Sequence, residues 1–281
     1  MKMHRRKPVR PGLKQRRFRQ RLIAYRSAKG RPALRKIPRA AVPSFFTLMN
    51  LFCGFLSMIQ VYDGNLTNAA WLILLASFFD VLDGMMARLT NGTSLFGVEL
   101  DSLCDVVSFG VAPSFLIWAF GLRDFGTAGL IVASLPALAG AIRLARFNVA
   151  FEGTKGEYFS GLPIPMSAMF IVALILNDEL VLTLMDGKGV MNAVMTSVIV
   201  LSGLMVSNIP FDSMLQPSAR YIRNNPRKVL LAVTALIVMF IWRELGLLVV
   251  LVIYMLLGIG RALINLIKAI QSIPPEEEVS A

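Results

Sequence analysis

Long apolar runs alternate with short polar breaks along most of this chain. The runs cover roughly residues 45–61, 68–88, 95–120, 127–147, 162–176, 190–206, 228–242 and 245–267. A helix needs about 20 apolar residues to cross the hydrocarbon core of a bilayer, and most of the runs approach that length. The breaks carry turn-forming or charged residues: Asp63-Gly64-Asn65, Arg123-Asp124 and Asp186-Gly187-Lys188. The seventh run is short, and the pair Arg243-Glu244 marks its end. The pattern predicts eight spans in an all-α, polytopic transmembrane helical bundle.

Composition agrees with the pattern. Of 281 residues, 56% are hydrophobic and 16% charged, too apolar for a soluble domain of this length. The first apolar run begins near Phe45, behind a long basic stretch, so no signal peptide is expected. The two cysteines, Cys53 and Cys104, fall in different runs without a metal-binding or redox spacing. They read as reduced, small hydrophobes.

The net charge of +12 is unevenly placed. Residues 1–40 hold sixteen Lys and Arg and no acid, while the rest carries 13 basic and 17 acidic residues, a net of −4. The expectation for 1–40 is a basic cytoplasmic arm, partly disordered or helical on the membrane surface. Beside a span, anionic lipid headgroups suit such an arm better than nucleic acid does. With the arm in the cytoplasm, alternating sides put ten further Lys and Arg on that side, including Arg88, Arg143, Arg146 and Lys155. Only Arg123, Lys188 and Arg243 face the other way. That bias matches the rule that basic residues stay inside.

Four aspartates interrupt the apolar pattern. Asp80 and Asp83 are three residues apart, and Asp101 and Asp105 are four apart. On a helix either spacing puts both side chains on one face. Carboxylates are costly inside a membrane and mark functional sites there. The second run ends, and the third begins, on the cytoplasmic side, joined by a short loop over 89–94. Asp105 lies roughly 15 Å past Leu95 along a helix, and Asp80 roughly 12 Å before Arg88. The two pairs therefore face one another at similar depth. Four convergent carboxylates are a natural site for divalent cations such as Mg²⁺, Mn²⁺ or Ca²⁺.

Written as spacing, the stretch is D-x2-D-G-x2-A-R-x8-G-x3-D-x3-D: Asp80, Asp83, Gly84, Ala87, Arg88, Gly97, Asp101 and Asp105. It resembles the signature of the CDP-alcohol phosphotransferase family at every position. The resemblance implies a six-helix core with two additional C-terminal helices, two divalent metal ions (Mg²⁺ or Mn²⁺), and a homodimer. It implies transfer of a substituted phosphoryl group from a CDP-linked donor to an alcohol, with release of CMP. Asp80, Asp83 and Asp101 are then metal ligands, and Asp105 is ligand and catalytic base. Arg88 grips phosphate oxygens bidentately. Gly84, Ala87 and Gly97 let the nucleotide approach the helices closely. Pro43 and Thr47 border the cytidine, although a plain helix start accounts for them equally well.

Three further stretches resemble the integral-membrane phosphatidylserine synthase branch of that family. They are Val42-Pro43 through Gly54, Arg143-Leu-Ala-Arg146-Phe147-Asn148, and Phe159-Ser-Gly161-Leu-Pro163-Ile-Pro165. The branch implies CDP-diacylglycerol as donor and serine as acceptor. Arg143 and Arg146, one turn apart, are candidates for the serine carboxylate, with Asn148 beside them; capping a helix is the alternative role for both arginines. His4 is the only histidine and sits in the arm, which excludes a route through two catalytic histidines. The alternatives are a sibling enzyme using glycerol phosphate or inositol phosphate, and, more remotely, a cation transporter. The expected organisation is a basic arm over 1–40, a catalytic transmembrane core over 41–210, a cytoplasmic loop with two more helices over 211–270, and an acidic disordered tail over 271–281. The expected location is the inner or plasma membrane of a bacterium or archaeon, with the site facing the cytoplasm.

Overall fold

The computed structural model describes residues 41–90, 94–153, 161–184, 187–209, 211 and 226–271. The arm over 1–40, the tail over 272–281 and most of the loop over 210–225 lie outside the described residues, as do Lys155, Arg220 and Arg223. Every described segment with regular structure is helical. In chain order the helices are α1 (Ala41–Tyr62), α2 (Leu66–Thr90), α3 (Leu95–Asp105), α4 (Ala112–Phe120), α5 (Gly126–Gly153), α6 (Ile164–Leu176), α7 (Asp178–Leu184), α8 (Gly187–Val206) and α9 (Pro226–Gln271). A π-helical segment, Val106–Val111, joins α3 to α4 into one continuous rod.

Among the described residues, six helical stretches meet the length and apolarity needed to cross a membrane: 42–62, 66–90, 95–120, 122–149, 189–206 and 237–261, the last of which is broken at Arg243. The chain is an integral multi-pass membrane protein. Large apolar side chains such as Phe45, Phe52, Phe55, Phe78, Leu130 and Phe240 point outward, where lipid is the expected neighbour. The fifth expected span is shorter than the rest. α6 has 13 residues, about 20 Å of helix, and the chain continues directly into α7.

The seventh and eighth expected spans are the two arms of α9. Arg243 breaks the helix with φ 44° and ψ −115°. Gly246 lies against the carbonyl of Val238, eight residues back, which a straight helix would hold about 12 Å away. The chain therefore doubles back at Arg243. Asn177, just past α6, fixes the reversal by donating from Nδ2 to the carbonyls of Ala173 (2.8 Å) and Glu244 (3.0 Å).

α1 and α2 pack as an antiparallel pair. Ala69, Ala70, Ile73 and Ala76 of α2 are fully buried, and these mostly small side chains let the helix axes approach closely. Ser57 of α1 donates to the Ala69 carbonyl at 2.9 Å. The π-helical segment has a cause in Pro113. Its ring would clash with the carbonyl of Phe109 in a regular helix. One wide turn relieves the clash, with the Ala112 amide donating to Val107, five residues back.

The link into α6 hangs on α8. Gly161 donates to the Ile209 carbonyl at 2.9 Å and Leu162 to the Leu204 carbonyl at 3.0 Å. Gly161 has φ 87°, and a Cβ there would overlap the Met205 carbonyl. Both features demand glycine. Gly161→Ala is expected to cost at least about 2 kcal/mol. A fall of several degrees in the melting temperature of the detergent-solubilised protein would show it; an unchanged melt would mean the turn re-forms without strain.

Candidate active site

Asp80 and Asp83 lie near the end of α2, and Asp101 and Asp105 on α3, which starts after a short connection and runs back. The start of α3 is set by Ser94, whose Oγ accepts from the Gly97 amide at 3.0 Å as a helix cap. One carboxylate oxygen each from Asp80, Asp101 and Asp105 lies within 4.8 Å of the other two. Asp83 shares the α2 face with Asp80, and its side chain reaches that of Asp101. Its Oδ2 accepts from Thr47 Oγ1 of α1 at 2.5 Å, and Thr47 Oγ1 is also 3.1 Å from the Pro43 carbonyl. The carboxylates of all four aspartates therefore converge from the two antiparallel helices.

Such a cluster is unstable alone. Two carboxylates about 5 Å apart repel by roughly 3 kcal/mol at an effective dielectric of about 20. Asp83 and Asp105 are only 7% and 8% exposed. Among the described residues no Lys or Arg forms an ion pair with any of the four. Asp101 Oδ1 is buried without a hydrogen-bond partner. All-carboxylate donors with an orphaned, buried oxygen fit hard divalent cations such as Mg²⁺ or Mn²⁺.

The remaining candidates lie around this cluster or beside it. The guanidinium of Arg88 folds back over Gly84, with its terminal nitrogens 3.9 and 4.0 Å from where a Gly84 Cβ would stand. That leaves an open, cationic ledge one turn beyond Asp83. Ala87 is half-buried on the same stretch. Gly97 is the capped residue in the first turn of α3. Arg143, on α5, lies within electrostatic range of Asp105 and of Tyr254 in the second arm of α9. Its Nε is buried with no partner.

Arg146 is differently engaged. Its two terminal nitrogens donate to the Val206 carbonyl (2.7 Å) and to Asn208 Oδ1 (2.8 Å), at the end of α8. This is the helix-capping arrangement that sequence alone left as the alternative. Asn148 joins α5 to α3: its Nδ2 donates to Ser102 Oγ at 3.1 Å and lies 3.5 Å from Glu99 Oε2. Sequence reasoning passed over Asn50. Its Nδ2 donates to Asp105 Oδ1 at 3.2 Å. An amide three residues after Thr47, on the same face of an otherwise apolar helix, was the available signal.

The pattern of the CDP-alcohol phosphatidyltransferases matches residues 40–208, which span α1 through α8 and every candidate residue above. That match covers more than half of the chain. The chain belongs to the CDP-alcohol phosphatidyltransferase family. Its similarity to individual members extends further. A Helicobacter pylori protein named CDP-diacylglycerol–serine O-phosphatidyltransferase is 36% identical over 234 residues, 83% of this chain and 95% of that protein. A Bacillus subtilis protein of the same name is 35% identical over 170 residues, 60% of this chain and 89% of its own length. The archaetidylserine synthase of Methanothermobacter thermautotrophicus is 44% identical over 133 residues, 47% of this chain and 56% of that protein. The family pattern stops before α9, whereas the 234-residue match to the Helicobacter protein is longer than the pattern itself.

Proposed function

We propose that this chain transfers the phosphatidyl group of CDP-diacylglycerol to the hydroxyl of L-serine, giving phosphatidylserine and CMP. The observation that carries the reading is the convergence of Asp80, Asp101 and Asp105 in a family member that aligns with a serine phosphatidyltransferase over 95% of that protein. Asp80, Asp83, Asp101 and Asp105 would hold the divalent cations, two in the family expectation, which would supply neutralisation of the donor's diphosphate.

The protein's own groups do the rest. Arg88 binds the diphosphate oxygens from its ledge over Gly84. Gly84, Ala87 and Gly97 leave room for the nucleotide, and Pro43 and Thr47 border the cytidine. Thr47 also keeps Asp83 turned toward Asp101. Asp105 accepts the proton of the serine hydroxyl. The hydroxyl oxygen forms a bond to the lipid-linked phosphorus, and the bond from that phosphorus to CMP breaks, CMP leaving with the electron pair. The unpartnered Nε of Arg143 faces the serine carboxylate. Arg146 and Asn148 support that pocket from the α8 and α3 sides.

The Lys/Arg bias supports a site at the cytoplasmic face. Anionic headgroups are the partner suited to the sixteen Lys and Arg of residues 1–40, and the active form is the homodimer expected of the family.

Purified protein given CDP-diacylglycerol and a panel of alcohols tests the reading. CMP release is expected with serine and not with glycerol 3-phosphate or inositol phosphate; preference for a phosphorylated acceptor would assign the chain to a sibling activity. Arg143→Gln should raise the KM for serine about 10- to 100-fold, the effect of losing one charge-assisted hydrogen bond. The KM for CDP-diacylglycerol should stay within about twofold. An unchanged serine KM would reduce Arg143 to a helix anchor.

A further inference from the structure

α1 reaches the acidic cluster at two points, one turn apart. Thr47 meets Asp83 of α2, and Asn50 meets Asp105 of α3. Asn50 is completely buried, with 0% exposure. Its backbone is fixed as firmly as its side chain. Ser108, in the π-helical segment that follows Asp105, donates from Oγ to the Asn50 carbonyl at 3.0 Å. Gly54 makes this approach possible, because a Cβ there would come within 2.8 Å of the Ser108 Cα. The amide of Asn50 and the carboxylate of Asp105 are therefore held by two pieces of backbone locked to one another.

The other half of the amide is unaccounted for. Asn50 Oδ1 is buried and has no hydrogen-bond partner. Such an atom is costly to keep, and an apolar residue of similar size would pack here without that cost. Thr47, Asn50 and Ser108 are buried polar residues, and all three take part in the bonds between α1 and the segments around the aspartates.

We propose that Asn50 is a positioning residue for Asp105. By donating to Oδ1 it ties one carboxylate oxygen to α1 and leaves the other to the cluster and the acceptor hydroxyl. Without that tie the carboxylate rotates and offers either oxygen to the cations, which preserves ion binding and loses the alignment for proton removal. Asn50 Oδ1, beside the same carboxylate, accepts a hydrogen bond from a donor group of the acceptor substrate, an alcohol O–H or an ammonium N–H. This assignment rests on the proposed transfer to serine.

The test uses the full-length protein in detergent with Asn50→Leu, which matches the shape without polar atoms, and Asn50→Ser, which is too short to reach Asp105. CMP release gives kcat and the KM of each substrate. Depletion of the free Mn²⁺ signal in electron paramagnetic resonance gives ion affinity independently of turnover and reports whether each variant retains the site. We expect kcat to fall about 10- to 100-fold in both variants, the serine KM to rise, and the CDP-diacylglycerol KM and Mn²⁺ affinity to stay within about threefold of the parent protein. Variants with parental kcat, or a Mn²⁺ affinity that falls in step with kcat, would overturn the positioning role. A parent protein that binds Mn²⁺ but releases no CMP with serine would instead overturn the proposed function.

Discussion

Asp105→Asn is expected to leave a folded protein whose CMP release is reduced at least about 1,000-fold. The substitution keeps the size of the side chain, and Asp105 is buried at 8% exposure, so packing around α3 should survive. Two losses combine. A positioned general base is worth roughly 10²- to 10⁴-fold, and an amide is a poorer partner than a carboxylate for a hard cation. The remaining carboxylates of Asp80, Asp83 and Asp101 should still bind Mn²⁺, more weakly than before. Circular dichroism and a thermal melt establish folding; CMP release measures the effect. Activity above a tenth of the parental rate would remove the base assignment from Asp105.

Chelation should have a comparable effect. Treatment with EDTA is expected to lower CMP release below about one hundredth, and Mn²⁺ or Mg²⁺ in excess should restore it. Three carboxylate oxygens within 4.8 Å and a donor diphosphate cannot share one small volume uncompensated. The same ions should stabilise the fold. At a free concentration of 100 times Kd, a ligand that binds only the native state adds about 2.7 kcal/mol. A melting temperature that rises with Mn²⁺ in the parent protein, and rises less in Asp80→Asn or Asp101→Asn, would agree. Full turnover after thorough chelation would contradict a metal-dependent site.

Much of this architecture is legible in the sequence, because membrane crossing imposes length and apolarity directly. The apolar run over 95–120 corresponds to the continuous rod of α3, the π-helical segment and α4, ending at the same Phe120. The reversal at Arg243 falls where a charged pair interrupts the last apolar stretch. The acidic cluster was readable for a simpler reason. Helical spacing and a short loop between antiparallel helices leave the four carboxylates little choice but to meet.

What the sequence did not yield are pairings made across helices. Pro113 signals that the third span must distort, but not that the wide turn sets Ser108 against Asn50. Asn50 sits in the middle of α1, and nothing in its local sequence shows that Asp105 of α3 lies beside it. Arg143 and Arg146 are equivalent in local sequence. Only the position of α8 separates them, since it gives Arg146 the Val206 carbonyl and Asn208 to bind and leaves the Nε of Arg143 unpartnered. The 13-residue α6 shows the same limit. Its apolar run predicts a span, while its length depends on the turn that Gly161 makes against Met205 and Ile209.

Anomalous diffraction from crystals of the protein grown with Mn²⁺ and a CDP-containing donor addresses the centre of this account. The expected result is a Mn²⁺ peak between α2 and α3, within about 2.0–2.3 Å of carboxylate oxygens from Asp80, Asp101 and Asp105, with the diphosphate bound against it. A peak lying elsewhere, or four aspartates free of metal while the nucleotide is bound, would contradict it.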